Sequence, residues 1–305
     1  MRTMDTRIGK VKLNCDFYSG TDTYSDGDIE NRLLDIVKSG KDLEEVLIED
    51  TDWPVLYHLS DIRKNIVSWY DFNSKGTVLE IGSGCGAITG ALCEKTSRVV
   101  AVDLSKRRSE INAYRNNYDN LEIIVGNFED IKTDEKFDYV TLIGVLEYSI
   151  YYINSPEPFL DMLRKAREYL KPGGQLIIAI ENKYGLKYWA GAKEDHTGVE
   201  FDGIQNYSGV DRVRTFSRGT LDRLLCEAGF KDNDFYYPFP DYKLPLEIYS
   251  PEHLPGTGEL LSYSPAYDRD RVVLFDEAKA AEALVQDGLF EEFANSFLVI
   301  SRRAD

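Results

Sequence analysis

Thr77 to Leu92, TVLEIGSGCGAITGAL, is the stretch whose reading decides the fold. Val78, Leu79 and Ile81 make a short apolar run of strand type, Gly82, Gly84 and Gly86 alternate with Ser83 and Cys85, and Ala87 to Leu92 turns helical. The pattern predicts a strand, a glycine-rich turn and a helix in direct succession. Glycines are needed where a chain reverses at positive φ and where a ligand must touch backbone with no Cβ in the way. The open end of this strand is therefore expected to be a cofactor seat.

Charge decides which cofactor. Read loosely, Gly82, Gly84 and Ala87 also satisfy the dinucleotide fingerprint, in which a pyrophosphate rests on the helix N-terminus. Yet Glu80 lies two residues before the first glycine, and no Lys or Arg follows it before Lys95. A carboxylate at the mouth of the turn repels a pyrophosphate and suits a ligand carrying an ammonium and a sulfonium, such as S-adenosylmethionine. Arg98 to Val102 forms a second apolar strand ending at Asp103. An acid about 20 residues past the first glycine is where a ribose diol is held. Ribose is common to both cofactors, so Asp103 does not discriminate between them; Glu80 does. Glycines also serve ordinary strand-to-helix connections, and it is the joint pattern that carries the reading.

The 305 residues are enough for one large domain, or one domain with an appendage, with a sizeable core. A formal net charge of −17 argues against a nucleic-acid partner, because phosphate backbones are bound by a surplus of Lys and Arg. With no basic-apolar leader and no apolar run of spanning length, the expectation is a cytoplasmic protein without a transmembrane segment. Cys15, Cys85, Cys93 and Cys226 show no CxxC spacing, which fits a reducing compartment better than a disulfide framework or a zinc site.

Before the glycine turn, residues 1–75 read as a helical cap or lid. Ile29 to Ser39 is a helix with Asp26 or Asp28 as its cap, and Trp53 to Tyr70 is a second helical element carrying Tyr57, His58 and Arg63. Tyr57 and Arg63 are candidates to lie over the cofactor, with a plain capping role as the alternative. After Asp103, Leu104 to Tyr118 reads as a helix and Leu121 to Val125 as a third strand, followed by Gly126, Asn127, Phe128 and Glu129. An amide and a flat ring at that strand end suit an adenine; Phe128 as simple core is the alternative. Phe137 to Ile143 is a fourth strand running out into Gly144, Glu147 and Tyr148, placed where functional side chains meet ligands. Pro158 to Leu170 is an amphipathic helix stopped by Lys171 to Gly174, and Gln175 to Ile180 is a fifth strand.

Glu181 to Phe216 breaks the alternation and reads as a functional loop. Ser217 then caps a helix from Leu221 to Ala228, Asp234 to Phe239 is a sixth strand, and Asp241 to Asp276 form an irregular insertion. A helix from Glu277 to Gln286 and a last strand from Phe297 to Ile300, antiparallel beside the sixth, close the chain. The domain organisation expected is a cap at 1–75, a cofactor-binding core at 76–239 that includes the acceptor loop 181–216, and an insertion with the closing strand at 240–305.

On these residues the chain resembles the class I S-adenosylmethionine-dependent methyltransferases. The matching segments are VLEIGSGCG, VVAVD, GNFEDI, FDYVTLIGVLEY and LKPGGQLIIAI. IENKYGLKYWAGAKEDHTG, RTFSRGTLDRLL and PFPDYKLP further resemble a bacterial subgroup that often accompanies cell-surface glycan biosynthesis enzymes, in some cases as one domain of a larger polypeptide. The resemblance implies a doubly wound, seven-stranded α/β sheet, mostly parallel with an antiparallel last strand. It implies that Glu80, Gly82, Gly84 and Gly86 surround the methionine part, that Asp103 holds ribose, and that Asn127 to Glu129 lie near adenine. Asn127 stands where many relatives have an acid, which weakens the adenine assignment. Ser83, Leu104 and Gly144 complete the expected cofactor set.

A methyl acceptor is expected to be a small molecule or glycan, methylated at a hydroxyl. His196 is the candidate general base, because an imidazole titrates near working pH, with Glu147 as a second catalytic candidate. A structural histidine bonded to Asp195 or Asp202 is the competing reading of His196; His58 and His253 are weaker candidates. Tyr148, Asn182, Tyr184, Asp195 and Asp202 are the expected acceptor contacts. No metal site is expected: Glu194, Asp195, His196 and Asp202 offer ligands for a chelated diol without a compelling spacing. The alternatives kept open are a nicotinamide-dependent oxidoreductase and a catalytically silent cofactor-binding subunit.

Overall fold

Runs of Val, Ile and Leu bounded by Gly, Ser and Asn dictate strands buried on both faces, and these are what the chain forms. The structure, a computed structural model, describes residues 6–22, 26–209, 213–260 and 271–304. It divides into two compact units, the first comprising Met1–Leu142 with Glu168–Gln175 and the second Ile143–Arg167 with Leu176–Asp305. The division runs through the segment 76–239 that the sequence reads as one core. No helix among the described residues is long and apolar enough to cross a membrane.

In the first unit the strands are β1 (Thr6–Ile8), β2 (Val11–Phe17), β3 (Thr77–Ile81), β4 (Arg98–Asp103), β5 (Leu121–Gly126) and β6 (Phe137–Ile143), in spatial order β1-β2-β5-β4-β3-β6. All pairs are parallel except β1 with β2. Val78 lies opposite Val99, and Val99 opposite Leu121, so the ends of β3, β4 and β5 come level, as a cofactor seat requires. The helix Lys106–Arg115 packs on β2, β4 and β5 and starts at a doubly satisfied N-terminus. Ser105 Oγ accepts from the Arg108 amide at 3.2 Å, and Asp22 accepts from the Lys106 amide at 2.8 Å.

Helices Ile29–Ser39, Leu43–Glu49 and Trp53–Leu59 precede β3 and bury Leu33, Val46, Val55 and Leu59 in one cluster with Cys85 and Ile111. The expected element from Trp53 to Tyr70 is broken after Leu59, where the Ser60 hydroxyl caps a short turn, Asp61–Lys64, leading into Asn65–Ser68. Asp28 sits at the N-cap of the first helix without a side-chain cap bond. Asp26, the other expected cap, instead accepts from Arg108 at 2.6 Å and contacts His58 Nε2 at 3.0 Å.

In the second unit, β7 (Leu170–Glu181, its first half in the first unit), β8 (Phe230–Phe239), β9 (Glu247–Tyr249) and β10 (Ser296–Arg303) lie in the order β7-β10-β8-β9. β10 is antiparallel to β8, with Leu298 opposite Tyr236, as expected for the closing strand. The loop 181–216 is organised by the short helix Leu186–Trp189 and by bridges between Asn182 and Phe216 and between Lys193 and Glu200.

Two expectations are corrected. Ten strands occur among the described residues in place of seven, the additions being β1, β2 and β9. The segment 1–75 is also not wholly helical, because β2 pairs with β5. Val11 and Leu13 alternate with Lys12 and Asn14, and this two-residue period puts the apolar pair on the buried face. Replacing Leu13, 1% exposed, with Ala is expected to cost about 2–5 kcal/mol in urea unfolding. A loss below about 1 kcal/mol would show that β2 lies outside the core.

Candidate cofactor seat and acid-rich interior

The glycine turn is built by opposed demands at its three glycines. Gly82, Gly84 and Gly86 all take positive φ, 70°, 53° and 76°. A Cβ on Gly86 would lie 2.3 Å from Asn112 Oδ1, because Asn116 Nδ2 donates to the Gly86 carbonyl at 2.8 Å and to Asn112 Oδ1 at 2.9 Å. A Cβ on Gly84 would meet nothing within 4 Å. Gly86 therefore serves packing, and Gly84 borders open space. The turn is anchored to β4 twice, since the amides of Gly82 and Ser83 both donate to the Val102 carbonyl.

Asp103 completes this arrangement. Its Oδ2 accepts from the Gly84 amide at 2.7 Å and its Oδ1 from the Ser105 amide at 2.9 Å, fixing the carboxylate at the end of β4. Burial raises its pKa, against the two amide bonds and Arg108, which lower it. Glu80 is as deeply placed at 5% exposure, and its Oε2 accepts from Thr89 Oγ1 at 2.6 Å. Burial pushes its pKa up to about 8, with Thr89 and Arg63 opposing and Asp103 adding to the rise. Burial thus works against the charge on which the sequence argument relies.

Arg63, 8% exposed, lies 3.9 Å over the Tyr57 ring and donates from Nη1 to the Tyr57 carbonyl. Its Nε and the Ser83 hydroxyl are buried without a hydrogen-bond partner among the described protein atoms. Leu104 is half-buried beside Asp103. Asn127 turns its Oδ1 to the Glu129 amide at 3.1 Å, and the buried Phe128 ring packs on Tyr169 at 5.4 Å. Thr89, Asn112, Asn116 and Arg108 were not foreseen. The helical spacing of Asn112 and Asn116 was the available signal.

The remaining expected residues belong to the second unit. Gly144, at φ 68°, makes its close approach to Tyr242, whose hydroxyl would lie 2.8 Å from a Cβ there. Glu147, Glu181 and His196 come together. The His196 Nε2 stands 3.7 Å from Glu147 Oε1 and 3.9 Å from Glu181 Oε2, and the Tyr148 ring lies edge-on to the imidazole at 5.2 Å. His196 Nδ1 contacts Glu194 Oε1 at 3.1 Å, so the carboxylate that holds the ring is Glu194, not Asp195 or Asp202. Burial pulls the His196 pKa down, but Glu181, Glu147 and Glu194 outweigh it and hold it well above the ordinary value.

Asp195 is committed to Lys187 at 2.9 Å and Lys243 at 2.6 Å. Asp202 accepts from the Ser208 amide at 3.0 Å. Asn182 donates to the carbonyls of Glu292 and Ala294, both at 2.8 Å, and accepts from the Tyr184 amide at 3.0 Å. These bonds tie Asn182 to the C-terminal end of the helix Phe290–Phe293. Tyr184 is half-buried with the Lys183 ammonium 4.8 Å over its ring.

Comparison with known proteins agrees with the turn. Residues 72–209 match the family model described as a methyltransferase domain. The chain is 34% identical over 102 residues to the cypemycin N-terminal methyltransferase of a Streptomyces species, covering 33% of this chain and 40% of that protein. It is 30% identical over 125 residues to the mitochondrial ubiquinone biosynthesis O-methyltransferase of Dictyostelium discoideum, covering 36% and 37%. The matches thus span well under half the length of these relatives. The fold is similar, with a TM-score of 0.50 and 18% identity over 92% of this chain and 98% of the other, to a chain in the complex of the Haloferax volcanii Trm112 methyltransferase activator with a methyltransferase. Residues 72–209 carry a methyltransferase domain, and S-adenosylmethionine is the cofactor of that domain.

Glu80 gives a pH signature. The ligand-free fold keeps its proton to about pH 8, whereas an unfolded glutamate loses it near 4.5, so the folded state binds more protons across that window. Stability from this group is present below the window and declines as pH rises through it. Urea unfolding at pH 6 and pH 8.5 is expected to show that decline, and Glu80→Gln to flatten it; identical pH profiles would place the Glu80 carboxyl in water.

Proposed function

We propose that this chain transfers a methyl group from S-adenosylmethionine to a hydroxyl of a small-molecule or glycan acceptor. The observation that carries the reading is Asp103, held at the end of β4 by the Gly84 and Ser105 amides beside the open face of Gly84. The seat fits the cofactor's parts. Asp103 takes the ribose diol, Glu80 the ammonium, and Arg63, with its unpartnered Nε, the carboxylate. Asn127 and Phe128 stand for the adenine end. Bound here, the cofactor supplies an electrophilic methyl on a sulfonium whose departure needs no acid.

The chain's own residues then align the acceptor and exclude water, which accounts for several kcal/mol of the barrier. For a hydroxyl acceptor a proton must also leave, and the constellation of Glu147, Glu181 and His196 receives it. Within it, Glu147 is taken as the proton acceptor, because neither of its oxygens has a hydrogen-bond partner among the described protein atoms and burial raises its pKa. The net charge of −17 disfavours polyanionic acceptors. The resemblance of residues 180–198, 214–225 and 238–245 to a subgroup that accompanies glycan biosynthesis enzymes is the ground for naming a glycan among the acceptors.

Asp103→Ala is expected to weaken S-adenosylhomocysteine binding by about 10- to 100-fold, the worth of hydrogen bonds to a charged group, without loss of the thermal unfolding transition. Glu147→Gln is expected to lower kcat for labelled methyl transfer to hydroxyl acceptors by about 100-fold or more with little change in cofactor KM. Unchanged cofactor binding in the first variant, or unchanged kcat in the second, overturns the corresponding assignment.

A further inference from the structure

We propose that Glu147, Glu181 and His196 form a binding site for a divalent transition-metal ion, with at least one coordination position left for an oxygen of a bound molecule. One ligand atom from each of the three lies within 4.8 Å of the others. His196 Nε2 stands 3.7 Å from Glu147 Oε1 and 3.9 Å from Glu181 Oε2. A hydrogen bond would draw these atoms to about 2.7–3.2 Å. Donors sharing an ion at bonds of about 2.1 Å stand roughly 3.0–3.7 Å apart, so the 3.7 Å separation meets the wide limit and the 3.9 Å separation would close by a few tenths of an ångström on binding.

The partners of each group aim it inward. Glu194 contacts His196 Nδ1 at 3.1 Å and is itself held by the amides of His196 at 2.8 Å and Thr197 at 2.6 Å. That is the carboxylate–histidine arrangement that turns the opposite ring nitrogen to a metal. Lys243 holds Glu181 Oε1 at 2.8 Å, leaving Oε2 with no hydrogen-bond partner among the described protein atoms. Glu147 is fully buried and both of its oxygens are likewise unpartnered.

Charge points the same way. Lys187 is committed to Asp195 and Asp241, and Lys243 to Glu181 and Asp195. Glu147 has no ion-pair partner among the described residues besides the His196 ring, which it shares with Glu181 and Glu194. One ring shared by three buried carboxylates, of which only Glu181 is also met by a lysine among the described residues, leaves buried negative charge that a further cation would offset. Two carboxylate oxygens and one imidazole nitrogen suit Zn²⁺, Mn²⁺ or Fe²⁺ and, lacking a thiolate, disfavour softer ions. Three protein ligands leave room for a further oxygen donor, as in metal sites that engage substrates. No short sequence spacing announces this site, since its ligands follow β6, end β7 and stand in the loop 181–216.

The inference goes beyond the methyl-transfer reading and stands without it, so the test reads metal alone. Chelator-treated full chain is titrated with Mn²⁺, followed by the paramagnetic resonance of the free ion, and with Zn²⁺ by calorimetry. One site per chain is expected, weakened at least about tenfold in both Glu147→Gln and His196→Asn. S-adenosylhomocysteine binding, measured in the same samples, reports separately on the cofactor seat. Absence of stoichiometric uptake by the parent chain overturns the site, as does uptake unaltered in both variants; the three groups would then be a plain imidazolium held among carboxylates.

Discussion

One carboxylate sets the geometry from which the rest of the first unit follows. Asp103 accepts from an amide of the glycine turn after β3 and from an amide of the connection after β4, so two loops that leave neighbouring strands are held in one register. The turn can then keep Gly84 beside open space while Gly86 is pressed onto Asn112 and Asn116. Neighbouring carbonyl and hydroxyl groups reinforce this, with Val102 receiving the Gly82 and Ser83 amides and Thr89 donating to Glu80. A seat made largely from backbone and short side chains is rigid, and rigidity is what alignment of a transferable group requires.

Glu80 in the first unit and the acids around Lys187 and Lys243 in the second are met by different partners. In the first, Glu80 is stabilised by a neutral hydroxyl and holds its proton, so its charge responds to what arrives. In the second, Lys187 and Lys243 thread between Glu181, Asp195 and Asp241, and these ion pairs tie residues far apart in sequence into the loop 181–216. Asp195 and Asn182 look like acceptor contacts in the sequence because they are polar residues in a long loop. Their ion pairs and hydrogen bonds also give that loop its shape.

What could be read from the sequence was what contiguous segments determine. The strand Phe137–Ile143 and the helices Ile29–Ser39 and Glu277–Gln286 fall at the bounds that periodicity and capping suggest. The glycine turn and Asp103 were legible because strand, turn and second strand follow one another with the spacing that the chemistry needs. β2 was not, because its pairing partner β5 lies about a hundred residues away and its alternation is only a few residues long. Lys187, Lys243 and Glu181 were missed as partners for the same reason. Ion pairs closed by loop folding leave no local pattern, and the carboxylate that holds His196 is the one two residues before it, which hydrophobic periodicity cannot reveal.

The central claim is that the pocket at β3 and β4 was shaped for a positively charged nucleoside. Calorimetric titration of the full chain with S-adenosylhomocysteine and, separately, with NAD tests it most directly. The account predicts one site for S-adenosylhomocysteine and no measurable heat of binding for NAD. Saturable binding of NAD with S-adenosylhomocysteine inert would contradict it.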